Sequence, residues 1–340
     1  MHEALLYDRI TEGRVHCRLC SHCCTITDGD RGICQVRQND EGTLVSLVYE
    51  RVVTQAVDPI EKKPMFHFYP GTRSYSIATV GCNFTCLHCQ NNHISQYPRD
   101  HAGQIVGDCV PASAIVEEAV ESGCHSIAYT YTEPTIAIEY VLDVMKLARE
   151  AGLTNVWVSN GYFTAEAAAL IVPLLDGANI DLKGISDDMY HEIIGGTVRP
   201  VLNSIERLVR AGVWVEVTTL VIPGVNDSDD ELRWTAEAIR GISPDIPWHV
   251  SRFFPAHRMA DCDATPIETL RKARDIGRDV GLQFVYVGNL PGEGESTHCP
   301  TCGTMVIERA GFFAKEIRLN EGICPECETA IPGRWFTADS

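Results

Sequence analysis

Three cysteines about a quarter of the way along the sequence have a spacing that suits redox chemistry. Cys82, Cys86 and Cys89 form C-x3-C-x2-C within GCNFTCLHCQNN. Three thiolates this close suit three irons of a [4Fe-4S] cluster, which four cysteines usually hold. The iron left without a protein ligand could bind a substrate, as the open position of a catalytic zinc site does. The alternative is a zinc knuckle that takes His88 or His93 as its fourth ligand.

A second cysteine group lies near the beginning of the sequence. Cys17, Cys20, Cys24 and Cys34 form C-x2-C-x3-C-x9-C, and Cys23 is left over. The turn-rich DGDRG segment between the third and fourth cysteines fits a compact chelate. Zinc and a second iron-sulfur cluster would both suit these four thiols.

The third cysteine group lies near the end of the sequence. Cys299, Cys302, Cys324 and Cys327 form C-x2-C-x21-C-x2-C, a gap slightly longer than the ~15 to 20 residues usual in zinc ribbons. Four thiolates leave no open coordination position. The pattern therefore predicts a structural zinc ribbon with a hairpin through TMVIERAGFFAKEIRL, and an iron site is the alternative.

The sequence and its composition indicate the cellular compartment of the protein and disfavour some kinds of binding partner. The first residues lack the apolar core of a signal peptide, and no apolar run reaches the ~18 residues of a membrane span, so we expect a cytoplasmic protein without a membrane partner. In a reducing compartment, 15 cysteines indicate metal or redox sites rather than disulfides. A formal net charge of -18 disfavours binding to nucleic acid.

Short apolar runs alternate with amphipathic stretches of helical length. The predicted strands are 74–80, 125–131, 154–159, 177–182, 213–222, 248–254 and 282–287. The predicted helices are 111–122, 135–152, 164–175, 200–212, 228–241 and 266–281. This alternation predicts a parallel sheet with right-handed crossovers, either a barrel or a doubly wound sheet. In both, the site forms at the carboxyl ends of the strands.

Polar residues occur at or after the ends of several predicted strands. They are Glu133, Ser159, Asn160, Asp181, Lys183 and His257. Asp181 and Lys183 are two positions apart on a strand, so their side chains point the same way and could converge on one ligand. The structural alternatives are a helix start at Glu133, an exposed ion pair between Asp181 and Lys183, and a solvated His257.

The cysteine triplet after the first strand resembles the signature loop of the radical S-adenosylmethionine (SAM) superfamily. This resemblance implies a partial (β/α)6-type parallel barrel, the radical SAM core. It also implies that SAM chelates the open iron of the [4Fe-4S] cluster and that its reductive cleavage gives a 5'-deoxyadenosyl radical. The radical would abstract hydrogen from a protein or small-molecule substrate, after an electron donor of the flavodoxin or ferredoxin type had reduced the cluster.

The resemblance also implies roles in SAM binding for the strand-end residues. Glu133, in YTYTEPT, matches the acidic residue of the superfamily's Gly-Gly-Glu-Pro motif, which holds the methionyl ammonium. Tyr131 and Thr132 replace the two glycines of that motif, so the backbone is expected to differ there.

Further SAM contacts follow from a similarity to glycyl-radical-enzyme activases. Ser159 and Asn160 resemble part of their Thr-Asn-Gly element, although the aspartate that precedes it in the activases is missing here. Asp181 and Lys183 match their Asp-x-Lys, and His257 matches the histidine of a late Pro-x-His element.

The whole layout is similar to one branch of the superfamily. Residues 1–70 are predicted to be a cysteine-rich metal-binding segment, 71–290 the radical SAM core, and 291–340 a zinc-ribbon-like module. Together with CRLCSHCC, VSNGYF, DLKG and YVGNLPG, they resemble the radical SAM member of the AmmeMemoRadiSam system, itself similar to pyruvate formate-lyase activating enzymes. The resemblance implies AMMECR1-type and Memo-type partner proteins.

A second hypothesis is that the protein catalyses no reaction. A non-catalytic iron-sulfur or zinc scaffold, or an electron-transfer protein, would explain the clustered cysteines. It would not explain why the middle triplet lacks a fourth cysteine, nor why residues suited to SAM follow successive strands.

Overall fold

A single eight-stranded sheet forms the centre of the protein. The computed structural model describes residues 2–290 and 292–337. The strands are β1 (Thr54–Pro59), β2 (Arg73–Ala78), β3 (Ser126–Tyr129), β4 (Thr154–Ser159), β5 (Gly177–Asp181), β6 (Trp214–Val221), β7 (Trp248–Arg252) and β8 (Val285–Gly288). They lie side by side in the order β8-β7-β6-β5-β4-β3-β2-β1.

The sheet confirms the predicted fold class. Strands β2 to β8 are parallel and correspond to all seven predicted strands, while β1 was not predicted and pairs antiparallel with β2. Because β1 and β8 are the two ends of the strand order, the sheet is an open, partial barrel. Parallel strands are covered on both faces, and β3 is accordingly buried along its whole length.

Helices connect the parallel strands in the predicted alternation. They are α1 (Ala112–Glu121), α2 (Ile138–Glu150), α3 (Ala165–Ile171), α4 (Val198–Arg210), α5 (Asp229–Ile242) and α6 (Ile267–Val280). The hydroxyl of Thr164 caps α3 and that of Ser228 caps α5, each by accepting a bond from a backbone N–H in the first turn. Gly281 ends α6 in the left-handed conformation that glycine adopts readily. The six predicted helices are therefore confirmed.

The cysteine-rich N-terminal segment packs against the core as small antiparallel sheets. One sheet contains His2–Glu3, Arg37–Asp40 and Thr43–Ser46, and another contains Tyr7–Arg9, Val15–Cys17 and Thr25–Ile26. An isolated bridge joins Cys20 to Phe163 in the loop after β4, so this segment lies against the carboxyl end of the core sheet.

A C-terminal three-stranded sheet packs against Phe66, Phe284 and Tyr286 of the core. Its strands are Thr297–His298, Met305–Ala310 and Phe313–Ile317, which confirm the predicted hairpin. None of the helices within residues 2–290 and 292–337 has both the length and the apolar character needed to cross a membrane.

A buried polar chain joins this C-terminal sheet to the core. Nδ1 of His67 lies 2.7 Å from the carbonyl oxygen of Pro332, which can only accept, so Nδ1 carries the proton. Nε2 of His67 then accepts from the hydroxyl of Tyr286 at 2.6 Å. The Tyr286 hydroxyl in turn lies 2.7 Å from that of Thr297, which accepts from the guanidinium of Arg309. With Nε2 as an acceptor, the His67 ring in this chain is neutral, as its burial favours.

The neutral state of His67 predicts a loss of stability in acid. Burial lowers the pKa of His67 to about 4, whereas an unfolded histidine titrates near 6.5. The contribution of neutral His67 to the free energy of unfolding is therefore fully present above pH 6.5 and is lost as the pH falls toward 4. The total loss is about 3 kcal/mol. Urea unfolding between pH 7 and 4 measures it. In His67→Gln the pH dependence over this interval should be flatter, and an unchanged slope would contradict the assignment.

Candidate active site

A cavity of about 350 Å3 lies at the carboxyl ends of the parallel strands. Its walls include the last residues of β4 and β5, Ser159 and Asp181, together with Gly288 at the end of β8. The predicted site residues that line it are Cys82, Cys86, Cys89, Ser159, Asn160, Asp181 and Lys183. The structure therefore brings the cysteine triplet and most of the predicted SAM contacts to one place.

The loop after β2 carries the cysteine triplet in a close turn. It begins at Gly81, where φ is 95°, and a Cβ there would lie 2.6 Å from the side chain of Val36 and 3.0 Å from the carbonyl oxygen of Cys34. Only glycine fits such a position. The turn presents the Cys82 thiol to the backbone N–H of Phe84, 3.4 Å away.

The thiols of Cys82 and Cys86 lie where a thiolate would need a positively charged partner. Burial raises the pKa of Cys86 to about 12, and burial together with Glu133 raises the pKa of Cys82 well above its usual value. A buried thiolate is unfavourable without a cation or metal beside it. Asn160 Nδ2 lies 3.9 Å from the Cys82 sulfur, and the Cys89 sulfur lies 3.2 Å from the hydroxyl of Ser95. The donor set fits an iron-sulfur cluster.

The spacing of the thiols does not fit a single zinc ion. Two thiolates on one tetrahedral zinc, with Zn–S near 2.3 Å, are ~3.8 Å apart. In the described part of the chain, one group of three or more Cys, His, Asp or Glu has all its ligand atoms within 4.8 Å, and it is the C-terminal cysteine group. The zinc-knuckle alternative, with His88 or His93 beside the triplet, therefore has no geometric support.

Asp181 and Lys183 converge in the cavity as their spacing predicted. Lys183 Nζ donates to Asp181 at 2.8 Å, and the backbone N–H of Lys183 donates to the hydroxyl of Tyr190 at 3.1 Å. Burial alone would lower the pKa of Lys183, but Asp181 and the Cys86 thiol raise it above its usual range. The ammonium is therefore charged and faces the triplet, while the Asp181 side chain keeps 38% of its surface exposed.

Glu133 connects the loops that follow β3 and β4. It is 1% exposed and outside the cavity lining, and burial raises the pKa of its carboxyl. The carboxylate accepts from the hydroxyl of Ser159 at 2.9 and 3.1 Å and from the backbone N–H of Asn160 at 2.9 Å. It also accepts from the backbone N–H of Thr135 at 3.0 Å. Glu133 thus fixes two cavity residues, and its direct contact with SAM stays a prediction.

His257 lies next to the triplet loop rather than in the cavity wall. It begins the short helix His257–Met259, is half-buried and is outside the cavity lining. The following residue, Arg258, donates its backbone N–H to the carbonyl of Leu87 at 3.0 Å, so this segment contacts the triplet loop. The predicted role of His257 in SAM binding stays a prediction.

Tyr131 keeps a glycine-like backbone without being a glycine. Its φ is 64°, in the left-handed region that few non-glycine residues adopt. Its hydroxyl donates to Asp58, which also binds the ammonium of Lys63 at 2.7 Å. The aromatic ring lies under the same ammonium, 4.4 Å from it. These side-chain contacts accompany a left-handed backbone conformation at Tyr131.

Several cavity residues were not predicted. Burial lowers the pKa of Lys63 to about 8, so its ammonium is a titratable cation in the wall. His249 also lines the cavity, and its Nε2 lies 2.7 Å from the fully buried carboxylate of Glu216. The C-terminal hairpin adds Phe312. No local pattern indicates a role for Lys63 or Phe312, because Lys63 lies in a lysine pair and Phe312 lies within the predicted hairpin.

Comparisons with known proteins identify the family. Residues 76–234 match the model of the Radical SAM superfamily. The chain is also 44% identical over 322 residues to the uncharacterized protein MJ0808 of Methanocaldococcus jannaschii. The aligned region covers 94% of this chain and 95% of that relative. The chain belongs to the radical SAM superfamily. Membership implies a [4Fe-4S] cluster and SAM, and the cysteine triplet is the set of residues that fits the cluster.

More distant members of the radical SAM superfamily have named activities. The chain is 27% identical to 7-carboxy-7-deazaguanine synthase of Thermococcus kodakarensis, over 63% of this chain and 87% of that protein. It is 22% identical to the pyruvate formate-lyase-activating enzyme of Clostridium pasteurianum, over 51% of this chain and 71% of that one. The similarity to activating enzymes is thus confirmed at the level of the superfamily core.

This radical SAM protein also has a separate C-terminal group of four cysteines that could hold a metal ion. The sulfurs of Cys299 and Cys327 are 3.5 Å apart and those of Cys302 and Cys324 are 3.7 Å apart. Hydrogen bonds from Thr304 are the main cause that lowers the pKa of Cys302 to about 6. These distances fit four thiolates around one ion, and the identification of that ion as zinc stays a prediction.

Loss of one C-terminal ligand should remove this ion selectively. In Cys302→Ser, bound zinc should fall from about one per chain to nearly none, because a structural site needs all four thiolates. Metal analysis of the purified protein measures both zinc and iron. The exposed, isolated Cys109 provides the control Cys109→Ser, which should keep its zinc. Iron in place of zinc at this centre would contradict the prediction.

Proposed function

We propose that this protein cleaves SAM reductively at a [4Fe-4S] cluster held by Cys82, Cys86 and Cys89. The main support is that the three thiols border one cavity with Asp181 and Lys183, and that the described walls contain no fourth cysteine. When bound, the cluster supplies the electron that converts SAM to methionine and a 5'-deoxyadenosyl radical, which takes hydrogen from a substrate.

The polar walls of the cavity orient SAM in this proposal. The exposed carboxylate of Asp181 can accept hydrogen bonds from the ribose hydroxyls of SAM. The charged ammonium of Lys183 can balance the negative charge of the SAM carboxylate. Ser159 and Asn160 add polar groups on the neighbouring strand end, where Glu133 holds them. We assign the methionyl ammonium to the region of Glu133, and His257 to the outer edge of the site.

Apolar residues on the same walls keep water away from the reaction. Phe66 and Phe84 are almost fully buried and line the cavity. Val158, Leu220 and Phe312 complete this apolar part of the wall. A carbon radical needs such a closed environment, since it reacts with whatever hydrogen donor reaches it first.

We propose a protein substrate, as for glycyl-radical-enzyme activases. Supporting this choice, the C-terminal hairpin places Phe312 at the cavity with 43% of its surface exposed, and the neighbouring Phe313 is 67% exposed. Exposed aromatic residues beside a catalytic cavity suit contact with another chain. We further propose AMMECR1-type and Memo-type proteins as partners, a flavodoxin or ferredoxin as electron donor, and a cytoplasmic location.

The release of 5'-deoxyadenosine tests the proposed chemistry. Protein reconstituted anaerobically with iron and sulfide should form 5'-deoxyadenosine and methionine in equal amounts when SAM and dithionite are added. Omission of dithionite should abolish both products. If the loaded cluster neither cleaves SAM nor changes its electron paramagnetic resonance spectrum when SAM is added, the protein is the non-catalytic scaffold or electron-transfer protein instead.

Isotope transfer tests the proposed substrate class. An AMMECR1-type or Memo-type protein, uniformly deuterated, is incubated with the enzyme, SAM and reductant, and 5'-deoxyadenosine is analysed by mass spectrometry. Deuterium in the product would support direct abstraction from that protein. Deuterium transfer from a labelled small-molecule extract, with none from either protein, would contradict a protein substrate while leaving the SAM chemistry intact.

A further inference from the structure

Four N-terminal thiols lie together in a second buried site. Cys17, Cys20 and Cys34 are each less than a tenth exposed, Cys24 is half-buried, and Cys23 points to solvent. The backbone N–H of Cys17 donates to the carbonyl oxygen of Cys24 at 2.9 Å, so these two cysteines lie side by side. This contact and the burial of Cys17, Cys20 and Cys34 fit one shared site, as the spacing of the cysteines predicted.

A buried cation points into this site. Arg37 is 1% exposed, and its Nη1 donates toward the Cys17 sulfur at 3.7 Å. Its Nη2 binds the carboxylate of Glu139 and the carbonyl oxygen of Leu5, both at 2.6 Å. The remaining nitrogen, Nε, is buried without a hydrogen-bond partner. An anionic thiolate-bound metal group beside Arg37 would give this cation a second negative partner besides Glu139.

The spacing of the thiols distinguishes between the possible metals. The C-terminal cysteines have all four sulfurs within 4.8 Å of one another, as one zinc ion requires. No three of the N-terminal cysteines, all of which are described, meet that limit. In this arrangement the N-terminal sulfurs are too far apart for one zinc or iron ion to bind them all. Sulfide-bridged irons bind their cysteines at separate metal atoms, so the sulfurs lie further apart.

We propose that Cys17, Cys20, Cys24 and Cys34 hold a second iron-sulfur cluster with more than one iron. Four protein ligands close its coordination, so it can carry an electron but has no iron free for SAM. It would therefore differ in kind both from the cysteine triplet and from the C-terminal zinc site.

Direct contacts connect this site to the triplet loop. The guanidinium of Arg99 donates to the carbonyl oxygen of Ile33, next to Cys34, and to that of Cys82 at 3.2 Å. Between them, Gly81 packs closely on the backbone of Cys34. Ile33 itself is 43% exposed. The second cluster thus lies between the protein surface and the cavity. A one-electron donor protein could reach it there, and it could pass the electron on to the cluster at the triplet. This relay role rests on the proposed function, whereas the assignment of the metal does not.

Metal analysis of a triplet variant tests the assignment without any activity measurement. Cys82→Ala, Cys86→Ala and Cys89→Ala are combined, and the protein is reconstituted anaerobically. About two to four irons per chain, matched by acid-labile sulfide and accompanied by about one zinc, are expected. Mössbauer spectroscopy should show sulfide-bridged iron. A variant that contains no iron and about two zinc ions would overturn the proposal.

Two further samples keep the test decisive. The complementary variant Cys20→Ser/Cys24→Ser should lose that same amount of iron from the wild-type total while keeping its zinc. If the triplet variant fails to fold, the wild-type protein decides, because six to eight irons are expected with the second cluster and about four without it. If the wild type does not cleave SAM but the triplet variant keeps its iron, the proposed function fails and the second cluster stands.

Discussion

Replacement of Cys86 by alanine should reduce the formation of 5'-deoxyadenosine by about 10³-fold or more. Loss of an essential catalytic group removes most of an enzyme's rate enhancement. Cys86 is one of three cluster ligands in the proposal, and its thiol also faces the ammonium of Lys183 in the cavity. Two remaining cysteines cannot hold three irons. The rate is measured by chromatography after anaerobic reconstitution with SAM and dithionite.

A matched cysteine variant separates this effect from a general loss of thiols. Cys109 is exposed and isolated, so Cys109→Ala should keep the wild-type rate. Circular dichroism should show that Cys86→Ala is folded, because Cys86 lies in a loop outside the core strands. A folded Cys86→Ala protein that formed 5'-deoxyadenosine at the wild-type rate would place the chemistry elsewhere.

The core sheet could be predicted from sequence because its strands are buried on both faces. Continuous apolar runs such as those that became β3 and β4 can be distinguished from amphipathic helices by length and composition. Strand β1 lacked this signal. Its first four residues, TQAV, alternate between partly buried and exposed positions, and they are followed by a buried aspartate and a proline, which are rare in strands. It forms because the edge of the sheet offers β2 as a partner.

The candidate site was predictable only where local spacing determines direction. Asp181 and Lys183 converge because residues two apart on a strand share a face. Lys63 reaches the same cavity from a segment before β2, held by Asp58 and Tyr131, and no local pattern indicates that contact. Glu133 was predicted from a motif, yet the structure shows it capping a helix and joining two loops as well. Such roles depend on tertiary packing.

Replacement of Arg37 by methionine should lower the free energy of unfolding by about 3 to 5 kcal/mol. Arg37 and Glu139 are each 1% exposed and form an ion pair at 2.6 Å that joins the N-terminal segment to α2. Removal of one partner leaves the other charge buried without compensation, which is more costly than the loss of the pair itself. Urea unfolding under anaerobic conditions measures the change.

A double variant shows whether the charge or the packing causes this loss. Arg37→Met/Glu139→Met removes both charges and keeps similar volumes, so it should recover most of the stability. Recovery will stay incomplete, because the carboxylate of Glu139 also accepts the backbone N–H of Leu5 at 2.7 Å and Arg37 also donates toward Cys17. If the double variant is as unstable as Arg37→Met, the guanidinium acts mainly through Leu5 and the thiols. The iron content of both variants distinguishes the contact with Leu5 from the contact with the N-terminal thiols. Only loss of the contact between Arg37 and the thiols should release iron.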